Sequence, residues 1–204
     1  MRDKLKKGGA AAAPKIIAIE TTGPLASCAL SAGEGAICRV NYTDYSHLEE
    51  IAPMVREILA DAGLEPDALD AIAVSRGPGS FTGIRIGMAT AKGLAIVWNK
   101  PIIEVPTLAA FAYGDYPWIK VERPLICPIF DARRNQIYAG AYSPFYRQAI
   151  VEDGAYAPED FLSALKAAMK QFDKAVFFGD AAEIFVQACG ALDFSHIVAP
   201  ADSR

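Results

Sequence analysis

From Ser75 to Gly87 the chain reads Ser-Arg-Gly-Pro-Gly-Ser-Phe-Thr-Gly-Ile-Arg-Ile-Gly, residue types that can hold an anion. Gly77, Gly79 and Gly83 free the backbone to turn, Pro78 stiffens it, and Arg76 and Arg85 bracket the turn with cationic side chains. Backbone N–H groups at such a turn, followed by a helix N-terminus, make a phosphate cradle. The same residues suit a rigid turn that launches a closely docked helix, and at this level both readings stand. Ser80 and Thr82 sit at a helix start, where a hydroxyl usually caps rather than attacks; no histidine–carboxylate arrangement accompanies them. His47 and His196 are the chain's two histidines. They lie far apart in sequence, so their spacing specifies neither a metal pair nor a triad. His47, just after a helix cap, reads as a surface or interface residue. The turn Asp131-Ala132-Arg133-Arg134-Asn135 reads either as a solvated hairpin or as a contact to a partner.

The elements around these residues follow from pattern. Apolar strands are expected over 15–20, 26–31 and 36–42, joined by turns at Gly23-Pro24 and at Gly33-Glu34-Gly35. Ser46 with Glu49 is a capping box, and Leu48, Ile51, Ala52, Val55, Ile58, Leu59 and Ala62 form a helical stripe that Gly63 stops. Pro53 should bend this helix, and Met54 falls off the stripe, which implies a second apolar face. Ala71 to Val74 is a buried strand. The helix after the glycine turn, about 82–98, carries only Arg85 and Lys92 as charges and is apolar nearly all round. Its Gly83, Gly87, Ala91 and Ala95 recur every four residues, a small-residue stripe suited to close approach by another helix. Further strands are expected at 101–105, 125–130, 136–142, 175–178 and 197–198. Helices are expected at 107–113, 158–172 and up to about 189, with 114–124 as a loop or hinge.

At 204 residues, 52% hydrophobic and 22% charged, the chain has room for a sizeable core in one large or two small domains. No apolar run reaches the length of a membrane span. Residues 1–14 are basic, then alanine-rich, and read as a disordered extension without a signal peptide's apolar core. Cys28, Cys38, Cys127 and Cys189 show no C-x-x-C spacing and read as reduced core residues of a cytoplasmic protein. A net charge of −4 is too acidic for a chain that grips RNA by itself, so any nucleic-acid contact should run through a complex.

The words Ile17-Ala18-Ile19-Glu20-Thr21-Thr22, Ser46-His47-Leu48 with Pro53-Met54, the whole block from Ser75 to Gly87, and Asp131-Ala132-Arg133 occur in one order and spacing. Together they resemble the bacterial TsaB (YeaZ) family, over roughly Pro14 to the C-terminus. The resemblance implies an actin/Hsp70/sugar-kinase-type fold of two α/β lobes with mixed sheets, an N-terminal lobe at 15–113 and a C-terminal lobe at 114–204 that stops before the family's last helix. It implies a non-catalytic scaffold that pairs with a TsaD-like catalytic subunit. That subunit transfers a threonylcarbamoyl group to the adenosine beside the anticodon of tRNA. A TsaE-like ATPase joins the pair, and the chain in isolation is expected as a homodimer formed through its first two helices.

On that reading the partner interface comprises His47, Glu50, Met54, Ile84, Arg85, Gly87, Met88, Ala91 and Lys92. No cofactor is expected, with residual ATP or ADP binding left open at a vestigial nucleotide loop of Glu20, Gly77, Gly79, Ser80, Gly83, Gly179 and Asp180. Two histidines four residues apart hold metal in the catalytic paralogue; here those positions read Thr107 and Phe111, so no metal is expected. The alternatives are an independent ATPase or phosphotransferase of the same fold, using Glu20, Gly77 to Gly83 and Gly179-Asp180, or a glycoprotease-like metallopeptidase.

Overall fold

The structure is a computed structural model that describes residues 13–33, 35–43, 47–114, 116–117 and 119–199. The expected extension up to residue 12, the Glu34 tip and the Ser46 cap lie outside the described residues, as do residues 200–204. Two five-stranded mixed sheets organise the chain.

The first sheet has the order β3-β2-β1-β4-β5, with β1 at Ile16–Glu20, β2 at Ala26–Ala32, β3 at Gly35–Asn41, β4 at Ala71–Ser75 and β5 at Ile102–Val105. β1 pairs antiparallel with β2 and parallel with β4. β1 places Ile17 and Ile19 on one face because side chains alternate along a strand. Leu30, Ile72 and Val74 share that face, and all five meet α1 (His47–Asp61) and α2 (Phe81–Trp98) in one core. In α1 the buried residues are Ile51, Met54, Val55, Ile58 and Leu59, while Leu48 and Ala52 are exposed. The inward stripe is therefore the 51/54/55/58/59 set, spaced by three and four residues. Met54 belongs to it, which corrects the expected second face. Pro53 lies within α1 without ending it.

The second sheet has the order β10-β9-β6-β7-β8, with β6 at Pro124–Arg133, β7 at Gln136–Ser143, β8 at Gln148–Tyr156, β9 at Lys174–Phe178 and β10 at His196–Val198. Read from the meander edge, both sheets run in the same succession, two antiparallel pairings and then a parallel crossover. Strand β8 was not expected from sequence. It is an edge strand, half-exposed along its length, and Glu152, Asp153 and Gly154 break its apolar alternation. The central strands are covered on both faces. Leu125, Cys127 and Ile129 pack with Phe161 of α4 (Pro158–Ala168) and Phe185 of α5 (Ala182–Cys189); Ile126, Tyr142 and Phe178 pack with Leu108 of α3 (Thr107–Ala112). Double coverage explains the continuous apolar run of β6.

By contacts the chain divides into two compact units. One takes residues up to Val74 together with Ile86–Ile103, and the other takes Ser75–Arg85 and everything from Glu104 on. A single cut at 113/114 therefore does not describe the division, because α3 packs on β6 and β7. Among the cysteines, Cys28 and Cys127 are buried, Cys189 is half-buried and Cys38 is exposed on edge strand β3, a departure from the all-core expectation. Burial, with Cys38 adding a smaller effect, pushes the Cys28 thiol up to about 12; burial raises that of Cys127 as well. Since the thiolate is the nucleophile, iodoacetamide at about pH 8 should label Cys38 in the native protein and spare Cys28 and Cys127 until denaturant is added. Peptide mass mapping checks this; labelling of Cys28 at the rate of Cys38 would contradict the core described.

Candidate functional site

The glycine loop is held from both ends by its own backbone. Arg76 donates its N–H to the Val105 carbonyl at 2.9 Å, and the Gly77 carbonyl accepts from Thr107 at 2.9 Å. Gly77 has φ of +100°, and a Cβ there would meet the Ile84 side chain at 2.9 Å. Ser80 caps α2: its Oγ accepts the Gly83 N–H at 3.2 Å, and its carbonyl accepts from Ile84. The loop is thus a rigid launch for α2, with its one serine hydroxyl engaged as a cap.

The remaining members of the expected nucleotide set are also engaged locally. Glu20 turns back on its own strand end, and its Oε1 accepts the Thr22 N–H at 2.5 Å. Asp180 Oδ1 accepts the Asp131 N–H at 2.9 Å and so ties the turn after β9 to the end of β6. Gly179, at φ +113°, would place a Cβ 2.2 Å from the Ile129 carbonyl oxygen, so only glycine lets those strands lie this close.

Helix α2 carries two different apolar faces. Gly83 and Gly87 are buried, Ala91 is 0% exposed and Ala95 8%. A Cβ on Gly87 would stand 2.3 Å from Thr21 Oγ1 and 3.6 Å from Val74. The small-residue stripe therefore serves close approach to the chain's own first sheet. This corrects the expectation for Gly87, Ala91 and Met54: all three face inward and cannot touch a partner directly. Ile84 is half-buried, and Met88 is half-buried against the core. Glu50, Arg85 and Lys92 are exposed. His47 opens α1, with its side chain outside the described set. The outward face holds what the sequence reading missed. Phe81 is 74% exposed, Ile96 82% and Val97 79%, with Ala89 and Gly93 exposed between them. The Arg85 guanidinium sits 5.4 Å from the Phe81 ring centre and is, with Lys92, the only charge on this face. The signal was present: a helix apolar all round has an outside as well as an inside.

Position 107 is buried, and position 111 is half-buried against the core. Thr107 is 3% exposed, and Phe111 stacks against Phe130 at 5.0 Å and Phe178 at 6.3 Å. Tyr116 closes the group, its ring 5.3 Å from Phe178 and its hydroxyl donating to the Phe111 carbonyl. A rigid aromatic cluster thus fills the slot in which the resemblance places a metal-binding pair.

The family model described as TsaD, tRNA N6-adenosine threonylcarbamoyltransferase, matches residues 41–199. The tRNA threonylcarbamoyladenosine biosynthesis protein TsaB of Bacillus subtilis is 34% identical over 164 residues, covering 80% of this chain and 69% of that protein. The chain belongs to the TsaB (YeaZ) family, on the TsaD-type fold. The Escherichia coli TsaB is 36% identical over 63% of this chain but only 54% of its own length. YeaZ from Pseudomonas aeruginosa superposes with a TM-score of 0.63 at 32% identity, covering 72% of this chain and 68% of that one. A ROK hexokinase from Thermus thermophilus, at 12% identity and a TM-score of 0.51 over 92% and 94% of the two chains, shares the fold alone. The fold is the actin/Hsp70/sugar-kinase type with two α/β lobes, and the relatives act in tRNA threonylcarbamoyladenosine biosynthesis.

The Asp131–Asn135 turn is the remaining charged feature. Arg133 donates its N–H to Asp131 Oδ1 at 2.7 Å, while its guanidinium approaches the same carboxylate only at 3.9 Å, with the side chain 81% exposed. Arg133, Arg134 and Asn135 all have positive φ, at 66°, 52° and 58°. For the two arginines this costs about 1 kcal/mol or more each relative to glycine, while asparagine reaches this region with little penalty.

The local engagement of Gly179 and Asp180 makes a clear expectation. Gly179→Ala should destabilise the fold by about 2 kcal/mol or more, and Asp180→Ala by about 1 kcal/mol, in urea unfolding. An unaltered midpoint for Gly179→Ala would mean that the β6–β9 approach is not as close as described.

Proposed function

We propose that this chain is a non-catalytic subunit of a tRNA threonylcarbamoyltransferase complex, pairing with a TsaD-like catalytic subunit through the outward face of α2. The observation that carries the reading is the exposed Phe81, Ala89, Ile96 and Val97 on a helix whose other face is already buried. Large apolar side chains at such exposure mark a face that is covered in the working assembly. Glu50, Arg85 and Lys92 supply a polar rim. The same face serves a homodimer when the catalytic subunit is absent, and a TsaE-like ATPase joins the pair. tRNA is met through the complex.

The non-catalytic part of the reading rests on Thr107, which is buried, and Phe111, which packs half-buried against the core. Neither offers a metal ligand in the place where the paralogue has imidazoles. The rival ATPase would need Glu20, Ser80 and Asp180, which already accept hydrogen bonds from backbone N–H groups, Glu20 and Ser80 within their own turns and Asp180 from the end of β6. In the proposed role the chain uses no cofactor of its own.

Two substitutions on α2 separate the faces. Ile96→Asp should leave the fold intact and weaken binding to the TsaD-like subunit at least tenfold, read by calorimetry. It should lower threonylcarbamoyladenosine formation in the reconstituted reaction, with activity restored by excess chain. Gly87→Leu should instead lower the stability of the chain itself by overpacking against Thr21 and Val74. Full affinity in Ile96→Asp, or micromolar ATP turnover by the isolated chain, would overturn the reading.

A further inference from the structure

Five non-glycine residues among those described have positive φ, and three of them are consecutive at the tip of the β6–β7 hairpin. Arg133 pairs with Gln136, so Arg134 and Asn135 form a two-residue loop. With both central residues at positive φ, this loop suits Asn-Gly or Gly-Gly, whose backbones reach that region at little cost. Arginine does not suit it. Non-glycine residues held at positive φ cluster at binding and switch sites, so a run of them at an exposed tip points to a role there.

Among the described residues, one ion pair at the limit of contact is all that engages the two guanidinium groups. Arg134 is exposed and has no ion pair among the described residues. The Arg133 guanidinium lies 3.9 Å from Asp131, at the limit of an ion pair, with both side chains mostly in solvent. The nearby Asp131 and Asp180 carboxylates are engaged with backbone N–H groups of the turn and strand. What remains is a hairpin tip that presents two guanidinium forks on a stiff backbone anchored by Asp180.

We propose that Arg133 and Arg134 form a phosphate-binding tip that contacts the sugar–phosphate backbone of tRNA in the assembled complex. The inference rests on the reading of the chain as a subunit of that complex. Planar guanidinium groups match phosphate oxygens in pairs, and contacts of this kind position a nucleic acid without reading its sequence. With a net charge of −4 the chain as a whole does not attract a polyanion, so a contact to one needs a local cationic group such as this hairpin tip. An acidic surface on a protein partner is the competing occupant, and the test separates the two.

The test uses the chain assembled with its TsaD-like subunit, and measures tRNA binding by filter retention across a salt series. Arg134→Gly fits the backbone better than the native residue, so it should raise the melting temperature of the chain by about 2–4 °C. It should also weaken tRNA binding about fivefold and lower the log–log salt slope by about one. Asn135→Gly keeps both charges at a position that asparagine already tolerates; it should leave the melting temperature and tRNA affinity nearly unchanged. Arg133→Ala with Arg134→Gly should lower the slope by about two. Unchanged affinity and slope in Arg134→Gly would overturn the proposal. So would a loss of affinity for the protein subunit with tRNA binding intact, which identifies the acidic protein surface as the occupant. Subunit affinity is measured without tRNA, and the tRNA series is repeated on the chain alone, so a failure to pair counts against the subunit reading and not against the arginine tip.

Discussion

The approach of α2 to the first sheet is the constraint on which the rest depends. Gly87 brings the helix backbone so near Thr21 that even a methyl group would collide. Ala91 and Ala95 extend the same small face into the core beside Ile58, Ile72 and Val74. A helix docked this closely needs a rigid start, which the Ser80 cap and the Gly77 turn provide. Because the small residues are spent on the inward face, the large ones at 81, 96 and 97 are left outside, and the helix carries an exposed apolar face.

The same economy runs through the residues that a nucleotide-binding relative would use. Glu20, Ser80 and Asp180 each satisfy a backbone N–H within their own turn or across a strand end. A carboxylate at a strand end can coordinate a ligand or close a turn, and here the closing contacts are made. At 107 and 111 the substitution is more complete. Phe111 has become part of an aromatic cluster with Phe130 and Phe178, so a packing role stands where metal ligation would otherwise be placed.

The two sheets repeat one strand succession, yet they end in different surfaces. In the first, β3 is an exposed edge bearing Cys38 and an ion pair from Arg39 to Asp61. In the second, the matching edge is β8, and the hairpin before it carries the strained arginine tip. A shared topology sets where the turns fall; the residues placed in them decide what each turn can touch.

Several levels were legible in the sequence. The glycine block, the words Ile17–Thr22, Ser46-His47-Leu48 with Pro53-Met54, and Asp131-Ala132-Arg133 carried the resemblance to the family, and the fold came with that resemblance. The position of nine strands was legible because turn chemistry and buried runs are local properties of the chain, and β8 was not, since its charged centre hides a half-exposed edge strand. The faces of α2 were beyond reach. A helix apolar all round has no periodic signal to say which side meets the sheet, so the small-residue stripe was assigned outward when Thr21 and Val74 in fact lie against it. Met54 was misplaced because its stripe could be drawn two ways, and only packing against Ile17 and Leu30 chose between them. The sequence by itself determined which fold this chain adopts. The tertiary structure decided which of its apolar and charged residues remain available to other molecules, because burial is a property of what a residue is packed against and not of the residue.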